Sequence, residues 1–322
     1  MAGRARLSGI AAGVAERGAA MLERLAEAPL APGLYLIATP IGHLGDITLR
    51  ALAALLTADV VYCEDTRRSR ILLAHYAIER STRAYHEHNA ERERPRILAE
   101  LAAGRSVAVI ADAGTPVIAD PGYKLVRAAI AAGHRVSSLP GPSALLAALA
   151  TSGLATDTFL FAGFLPPRRA ARQARLRELA GIAATLILFE APSRLAACLN
   201  DIDAVLCERE AAVARELTKL HEEVRRGSPA LLAAWARETP PKGEMVIIIG
   251  PPGRRPVTDE TIAAGLSPLL AHMRLSEAVR TVAEGLGVPR ARAYQLALAL
   301  RRDRPERGGD PPGDGPPSAE RG

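Results

Sequence analysis

From about residue 33 to 152, short apolar runs alternate with longer stretches in which apolar residues recur every three or four positions. The runs predict strands near 34–38, 58–63, 81–85, 107–111 and 134–139. The longer stretches predict helices near 47–56, 66–76, 89–103, 122–132 and 143–151. Strands that read as unbroken apolar runs, each followed by a helix, belong to a parallel sheet covered on both faces. From about 156 to 250 the spacing is less even, with strands expected at 158–161, 184–190, 204–208, 212–218 and 244–250 and helices near 168–180, 192–200 and 228–237. Two successive strands with no helix between them, around Ala204–Thr218, predict a mixed sheet. The fold class is therefore α/β, with two α/β domains at 33–152 and 153–252 and a small C-terminal helical appendage at 257–302. In that appendage two amphipathic segments flank Gly285-Leu-Gly287, which resembles a helix-turn-helix. Residues 1–32, rich in Ala and Gly, predict one short helix at most and a poorly ordered extension. The Pro- and Gly-rich residues 303–322 have the composition of a disordered tail.

Three of the predicted strands run into loops rich in Pro and Gly. Leu34-Tyr-Leu-Ile-Ala38 enters Thr39-Pro-Ile-Gly42, Val107-Ala-Val-Ile-Ala111 enters Asp112-Ala-Gly-Thr-Pro116, and Val136-Ser-Ser-Leu139 enters Pro140-Gly-Pro-Ser143. Loops at the carboxyl ends of parallel strands are where such sheets hold ligands. None carries a dinucleotide or P-loop glycine fingerprint, and proline removes N–H donors that a pyrophosphate needs. They suit a nucleoside-like or amino-acid-like ligand, to which Asp112 can offer a carboxylate.

Composition narrows the setting. A chain of 322 residues, 48% hydrophobic and 24% charged, is long enough for two ordinary domains. Apolar stretches are interrupted before the length of a membrane span, and Glu16, Arg17 and Glu23 break any signal-peptide core, so a cytoplasmic protein with no membrane association is expected. Cys63, Cys198 and Cys207 lack metal spacing and fit reduced thiols; Cys63 is either a nucleophile with a paired base or a small buried residue. The net charge of +6 favours a polyanionic partner. Only three of the 41 basic residues are lysines, an arginine bias that weakens any argument from abundance alone. Placement matters more: Arg67, Arg68 and Arg70, then Arg92, Arg94 and Arg96, then Arg168, Arg169, Arg172 and Arg175 form clusters that are either solvated helix faces or phosphate contacts.

Several motifs occur in a fixed order: Leu34 to Leu52 around Thr39-Pro-Ile-Gly42, Glu64-Asp-Thr-Arg67, Tyr85-His-Glu-His-Asn89, Asp112-Ala-Gly-Thr-Pro116 with Asp120-Pro-Gly122, Leu139-Pro-Gly-Pro-Ser143, Glu190-Ala-Pro192, Arg215-Glu-Leu-Thr-Lys-Leu-His-Glu-Glu223 and Lys242-Gly-Glu244. Over residues 33 to 300 this set resembles the RsmI family of 16S ribosomal RNA 2′-O-ribose methyltransferases, in the tetrapyrrole methylase superfamily. The resemblance implies S-adenosylmethionine bound in a cleft between the two α/β domains, a homodimer, and methylation of one cytidine ribose in the decoding centre of the small subunit. Carried over by motif, the cofactor contacts are Pro40 and Ile41; Asp112, Ala113, Gly114 and Thr115; Ser143 and Ala144; and, from the second domain, Phe189 and Glu244. His43 and Ser193 depart from the family pattern, which usually has Asn and His there.

A ribose hydroxyl is a poor nucleophile, so a nearby proton acceptor would help. Glu64, Asp65, Glu190 and Lys219 are the candidates. Lys219 is either a base, if burial depresses its pKa, or a phosphate contact; Glu64 and Asp65 either orient the ribose or stand as favourable acids at a helix start. Arg67, Arg68, Arg168, Arg169, Arg172 and Arg175 are candidate RNA contacts. His86 and His88 can share one face of a strand, but no third ligand is evident, and no metal is expected. With 3% aromatic residues, recognition should rest on phosphates and ribosomal shape rather than base stacking. A related methylase acting on an acidic tetrapyrrole precursor is the alternative, as is a non-catalytic ribosome-binding protein.

Overall fold

A computed structural model describes residues 2–118, 122–253 and 258–302, with side chains from Ile10 onward. Asp120 and Pro121 of the quoted motif, part of the linker and the tail at 303–322 lie outside the described residues. The chain forms two compact units, Met1–Pro252 and Gly253–Gly322.

The first unit opens with α1 (Ala2–Glu27), a single long helix where the sequence predicts one short helix at most. Alanine-rich composition favours it, and Leu22 and Leu30 pack against the core of the sheet that follows. That sheet alternates β1 (Gly33–Ile37), α2 (Leu49–Thr57), β2 (Val60–Cys63), α3 (Thr66–His75), β3 (Thr82–Ala84), α4 (Ala90–Ala102), β4 (Ser106–Ile110), α5 (Tyr123–Ala131), β5 (Val136–Leu139) and α6 (Ala144–Ser152). All its strands are parallel, in the order β3-β2-β4-β1-β5. Side chains alternate across the strands. Tyr35, Ile37, Val61 and Ile110 face α2 and α3, whereas Leu34, Tyr62, Val107 and Val109 face α4 and α5.

A second sheet follows from β6 (Phe159–Phe164), α7 (Arg169–Ala180), β7 (Thr185–Glu190), α8 (Leu195–Val205), β8 (Ala211–Arg215), β9 (Glu223–Gly227), α9 (Pro229–Glu238) and β10 (Met245–Ile249). Its order is β6-β7-β10-β8-β9, parallel only between β6 and β7. The mixed sheet is as expected, but the adjacent strands are β8 and β9 rather than two strands within 204–218. Residues 204–208 instead end α8 and turn, with Glu208 at φ 75°. Cys198, Leu199, Ile202 and Leu206 share one buried helical face, so the apolar run belongs to a helix. One face of the sheet packs on α7, α8 and α9; the other packs on α6, through Ala148 and Leu149 against Ile187, Ala212, Val246 and Ile248. Helix α6 thereby joins the halves, since it leaves the first sheet and covers the second. Among the described residues, no helix is long and apolar enough to cross a membrane.

The second unit contains α10 (Asp259–Leu269), α11 (Leu275–Leu286) and α12 (Arg290–Arg302) around a small core of Ile262, Leu266, Ala278, Val279, Ala293 and Ala297. Helix α11 runs through Gly285 and ends at Gly287, whose left-handed φ of 63° caps it.

Candidate active site

The loops leaving β4, β1 and β5 lie side by side because those strands are neighbours. Thr39 and Gly114 exchange backbone hydrogen bonds of 3.0 and 2.9 Å, and the Thr39 hydroxyl donates to the Ala111 carbonyl at 3.0 Å. Gly114 sits at φ 76°, a left-handed conformation that glycine adopts without strain. The Ser143 side chain caps α6 at the Leu146 N–H. Together the loops form one wall of a cavity of about 400 Å³, through Ile41, Ala113, Gly114, Thr115, Ser143 and Ala144. The opposite wall comes from the second sheet: Phe164 at the end of β6, Phe189 to Pro192 after β7, and Gly243 to Val246 entering β10.

Nine expected residues therefore converge on this cavity, namely the six of the first wall with Phe189, Glu190 and Glu244. Pro40 and Asp112 do not line it. The Asp112 carboxylate is engaged behind the loop, accepting from the Asp65 N–H at 2.9 Å and lying 3.5 Å from Arg68. Sequence reasoning missed Ile118, Phe164, Gly243, Met245 and Val246. The chain has four Phe, and three of them, Phe161, Phe164 and Phe189, stack edge to face here at centroid distances of 4.9 and 5.7 Å. Phenylalanine, scarce in this chain, is thus concentrated beside this cleft, a signal available in the run Phe159-Leu-Phe-Ala-Gly-Phe164.

Beside the second wall, Glu216 and Thr218 hold positive φ of 49° and 64°. Such strain persists only where the surroundings impose it. Here the His43 N–H donates to the Thr218 hydroxyl at 3.0 Å, and Gly42 lies so close that a Cβ there would be 2.4 Å from Lys219 Cγ. Glu216 accepts from the Glu244 N–H at 2.9 Å, which holds its carboxyl below the usual range. Lys219 Nζ bridges Glu216 at 3.0 Å and Glu244 at 3.1 Å. Burial pulls the ammonium's pKa down, but the two carboxylates outweigh it and leave the pKa above the ordinary lysine value. A base requires the opposite shift, so this arrangement favours Lys219 as the resident cation of two carboxylates over a proton acceptor.

The other proton-acceptor candidates are dispersed. Glu190 is buried; it accepts from the Ala191 N–H at 2.8 Å and pairs with Arg194 at 3.1 Å. Glu64 is exposed at the end of β2. Asp65 caps α3, accepting from the Arg67 N–H at 2.8 Å and binding its guanidinium, which together hold the carboxyl at about 2. That is the helix-start arrangement, and neither Glu64 nor Asp65 lines the cavity. Burial raises the Cys63 thiol pKa, as befits a small core residue rather than a nucleophile.

Residues 33–233 match the tetrapyrrole (corrin/porphyrin) methylases, and residues 257–301 match the RsmI C-terminal HTH domain. The ribosomal RNA small subunit methyltransferase I of Mesorhizobium japonicum is 50% identical over 275 residues, covering 85% of this chain and 94% of that protein. This chain belongs to that methyltransferase family. The Synechocystis sp. member is 45% identical, covering 84% of this chain and 99% of its own length. Among solved structures, the cobalt precorrin-4 methyltransferase CbiF superposes with a TM-score of 0.52 at 21% identity, over 67% of this chain and 94% of its own. The Thermus thermophilus uroporphyrin-III C-methyltransferase, solved with S-adenosyl homocysteine, gives 0.50 at 20% identity, over 68% and 97%. Both share the tetrapyrrole methylase fold.

In this family member the basic clusters separate. Arg67 and Arg68 are exposed, as is Arg168 at the start of α7. Arg169 is exposed but lies 3.2 Å from Asp201, and Arg175 pairs with Glu178 on the surface. Arg172 is corrected: its side chain is 5% exposed and bound to Asp201, itself 3% exposed, so it is a core ion pair and cannot reach a phosphate. His43 uses its ring nitrogen to accept from the Gly45 N–H at 3.1 Å, capping the turn after the first loop.

Proposed function

We propose that this chain is an S-adenosylmethionine-dependent methyltransferase that modifies a cytidine 2′-hydroxyl in the decoding centre of 16S ribosomal RNA, in the cytoplasm and as a homodimer. The observation that carries the reading is the two-walled cavity. Its size lies in the range of small-molecule sites, with apolar faces from Ile41, Phe164, Phe189 and Met245 and backbone polar groups from the three strand-end loops. That lining fits an adenosine joined to an amino-acid chain. Bound there, S-adenosylmethionine would supply the electrophilic methyl group. The chain's own contribution is orientation: Gly114 and Ser143 place backbone against the ligand, and the β7 and β10 loops close over it. The acceptor oxygen must lie in line with the methyl, and a misplacement of about 1 Å can cost on the order of a hundredfold in rate. Membership of a family named for the small-subunit ribosomal RNA supports the substrate class, and exposed Arg67, Arg68 and Arg168 support a polyanion.

The test is labelled S-adenosylmethionine incubated with small subunits, free 16S RNA and uroporphyrinogen, followed by nucleoside analysis. The expected product is 2′-O-methylcytidine from RNA. A methyl on a base, or on the tetrapyrrole alone, refutes the assignment.

A further inference from the structure

A second cavity, of about 570 Å³, lies away from the cleft, along α3 where that helix flanks β3. Strand β3 is the edge of its sheet and pairs only with β2. Leu73 and Ile78 are buried at the groove's base, and small Ala74 and Ala77 keep it open. Its rim carries Arg70, Arg80 and the hydroxyls of Thr66, Ser81 and Thr82, against one acid, Glu79. The neighbouring arginines already hold carboxylates: Arg67 binds Asp65 at 2.7 Å and Arg68 lies 3.5 Å from Asp112. Arg80 donates to the Leu56 carbonyl at 3.2 Å. Arg70 is exposed and makes no ion pair among the described residues.

We propose that this groove binds a phosphodiester of the substrate RNA, with Arg70 as its principal cation. The inference rests on the RNA reading above and names a site beyond it. Arg67 must give up Asp65 to take a phosphate, whereas Arg70 holds no carboxylate among the described residues, so its charge is available to an incoming anion. Residues three and four apart on a helix stand about 5–6 Å apart at Cβ. Thr66, Arg67 and Arg70 therefore offer donors along one side of α3, leading from the β2 exit into the groove. Rim hydroxyls accept or donate as a sugar-phosphate chain requires. An acidic protein would also answer the arginine, but the groove exposes alanine, hydroxyls and charge rather than the aromatic anchors that protein interfaces favour.

Arg70→Gln and Arg70→Lys in the full chain test the proposal, with small subunits and protein-free 16S RNA as ligands at several salt concentrations. Arg70→Gln should raise KM for subunits several-fold at low salt. It should also make the log–log salt slope shallower by about 0.7, the value for one phosphate contact on a single strand. Arg70→Lys should restore most of the slope, and S-adenosylmethionine affinity should not move in either variant. A wild-type slope and KM in Arg70→Gln overturns the site. An effect seen with subunits but absent with protein-free RNA overturns it too, and assigns the groove to a ribosomal protein. Failure of wild type to methylate RNA at all is a separate result that refutes the functional reading instead.

Discussion

Replacing Lys219 with Met removes an ammonium while keeping most of the stem that packs against Gly42. The ammonium bridges two carboxylates at 3.0 and 3.1 Å in a side chain that is 28% exposed. Partly exposed pairs of this kind contribute about 1 kcal/mol each at most, so the variant should lose up to about 2 kcal/mol and stay folded. The consequence for the cleft is larger than for the fold. Glu244 lines the cavity, and its N–H and its carboxylate are both tied to the Lys219–Glu216 pair. Without the cation, Glu216 and Glu244 repel and the wall at 243–246 loosens. If most of the lost energy falls on that wall, S-adenosylmethionine affinity should weaken by about tenfold, the equivalent of about 1.4 kcal/mol.

A base gives a different signature. Loss of general-base help costs about 10²- to 10⁴-fold in rate and leaves cofactor affinity intact. The pKa direction fixes the pH dependence. Lys219 is raised above 10.5, so its bridges contribute fully below that value and are lost only as pH rises through the still higher folded pKa. Between pH 6 and 9 the ammonium stays charged, and no limb of the rate profile should belong to it. The assay is calorimetric titration of the cofactor together with single-turnover methyl transfer at saturating cofactor across that range. A hundredfold rate loss with unchanged affinity, joined to a wild-type limb rising below pH 9 that the variant lacks, would refute the positioning role.

Gly114→Val places a β-branched residue at φ 76° with its Cβ 3.4 Å from Ile41 Cγ2, a strain of about 1–3 kcal/mol; cofactor binding should vanish while circular dichroism reports a folded chain, and unchanged binding would remove this loop from the site. Arg172→Met strands the buried Asp201 carboxylate, and with Arg169 and Gln173 still bound to it the loss should fall near the low end for a broken buried pair, about 3 kcal/mol by denaturant unfolding. In wild type, burial raises the Asp201 pKa, but its hydrogen bonds and Arg172 hold it net below 3.8, so this stability is present above that pH and lost as pH falls through the lower folded value. A weakened salt dependence of RNA binding in Arg172→Met would contradict its assignment to the core.

The half of the site that could be read from sequence is the half built by strand ends. Strands β1 and β4 are buried on both faces, so their apolar runs stand out, and the Pro and Gly residues after them announce the loops. Phe164 carries no such local mark, and Gly243 shows only as part of the Lys242-Gly-Glu244 motif. Phe164 reaches the cavity only because β6 shifts register against β7 between Phe161 and Gly163, a property of two strands that neither sequence contains alone. Strand β9 escaped because it is an edge strand, Glu223-Val-Arg-Arg-Gly227, and charge is how edges avoid unwanted pairing. Arg172 shows the same limit in electrostatic form. Its spacing with Arg168, Arg169 and Arg175 reads as a solvated basic face, yet Asp201 on α8 draws this one arginine inward across 29 residues of sequence. Local pattern reports which residues a strand end presents to a ligand; the opposing wall and the charge state of its neighbours are set by pairing between distant segments, and that is why Lys219, legible as a candidate from its motif, acquired a role only once Glu216 and Glu244 were found on either side of it.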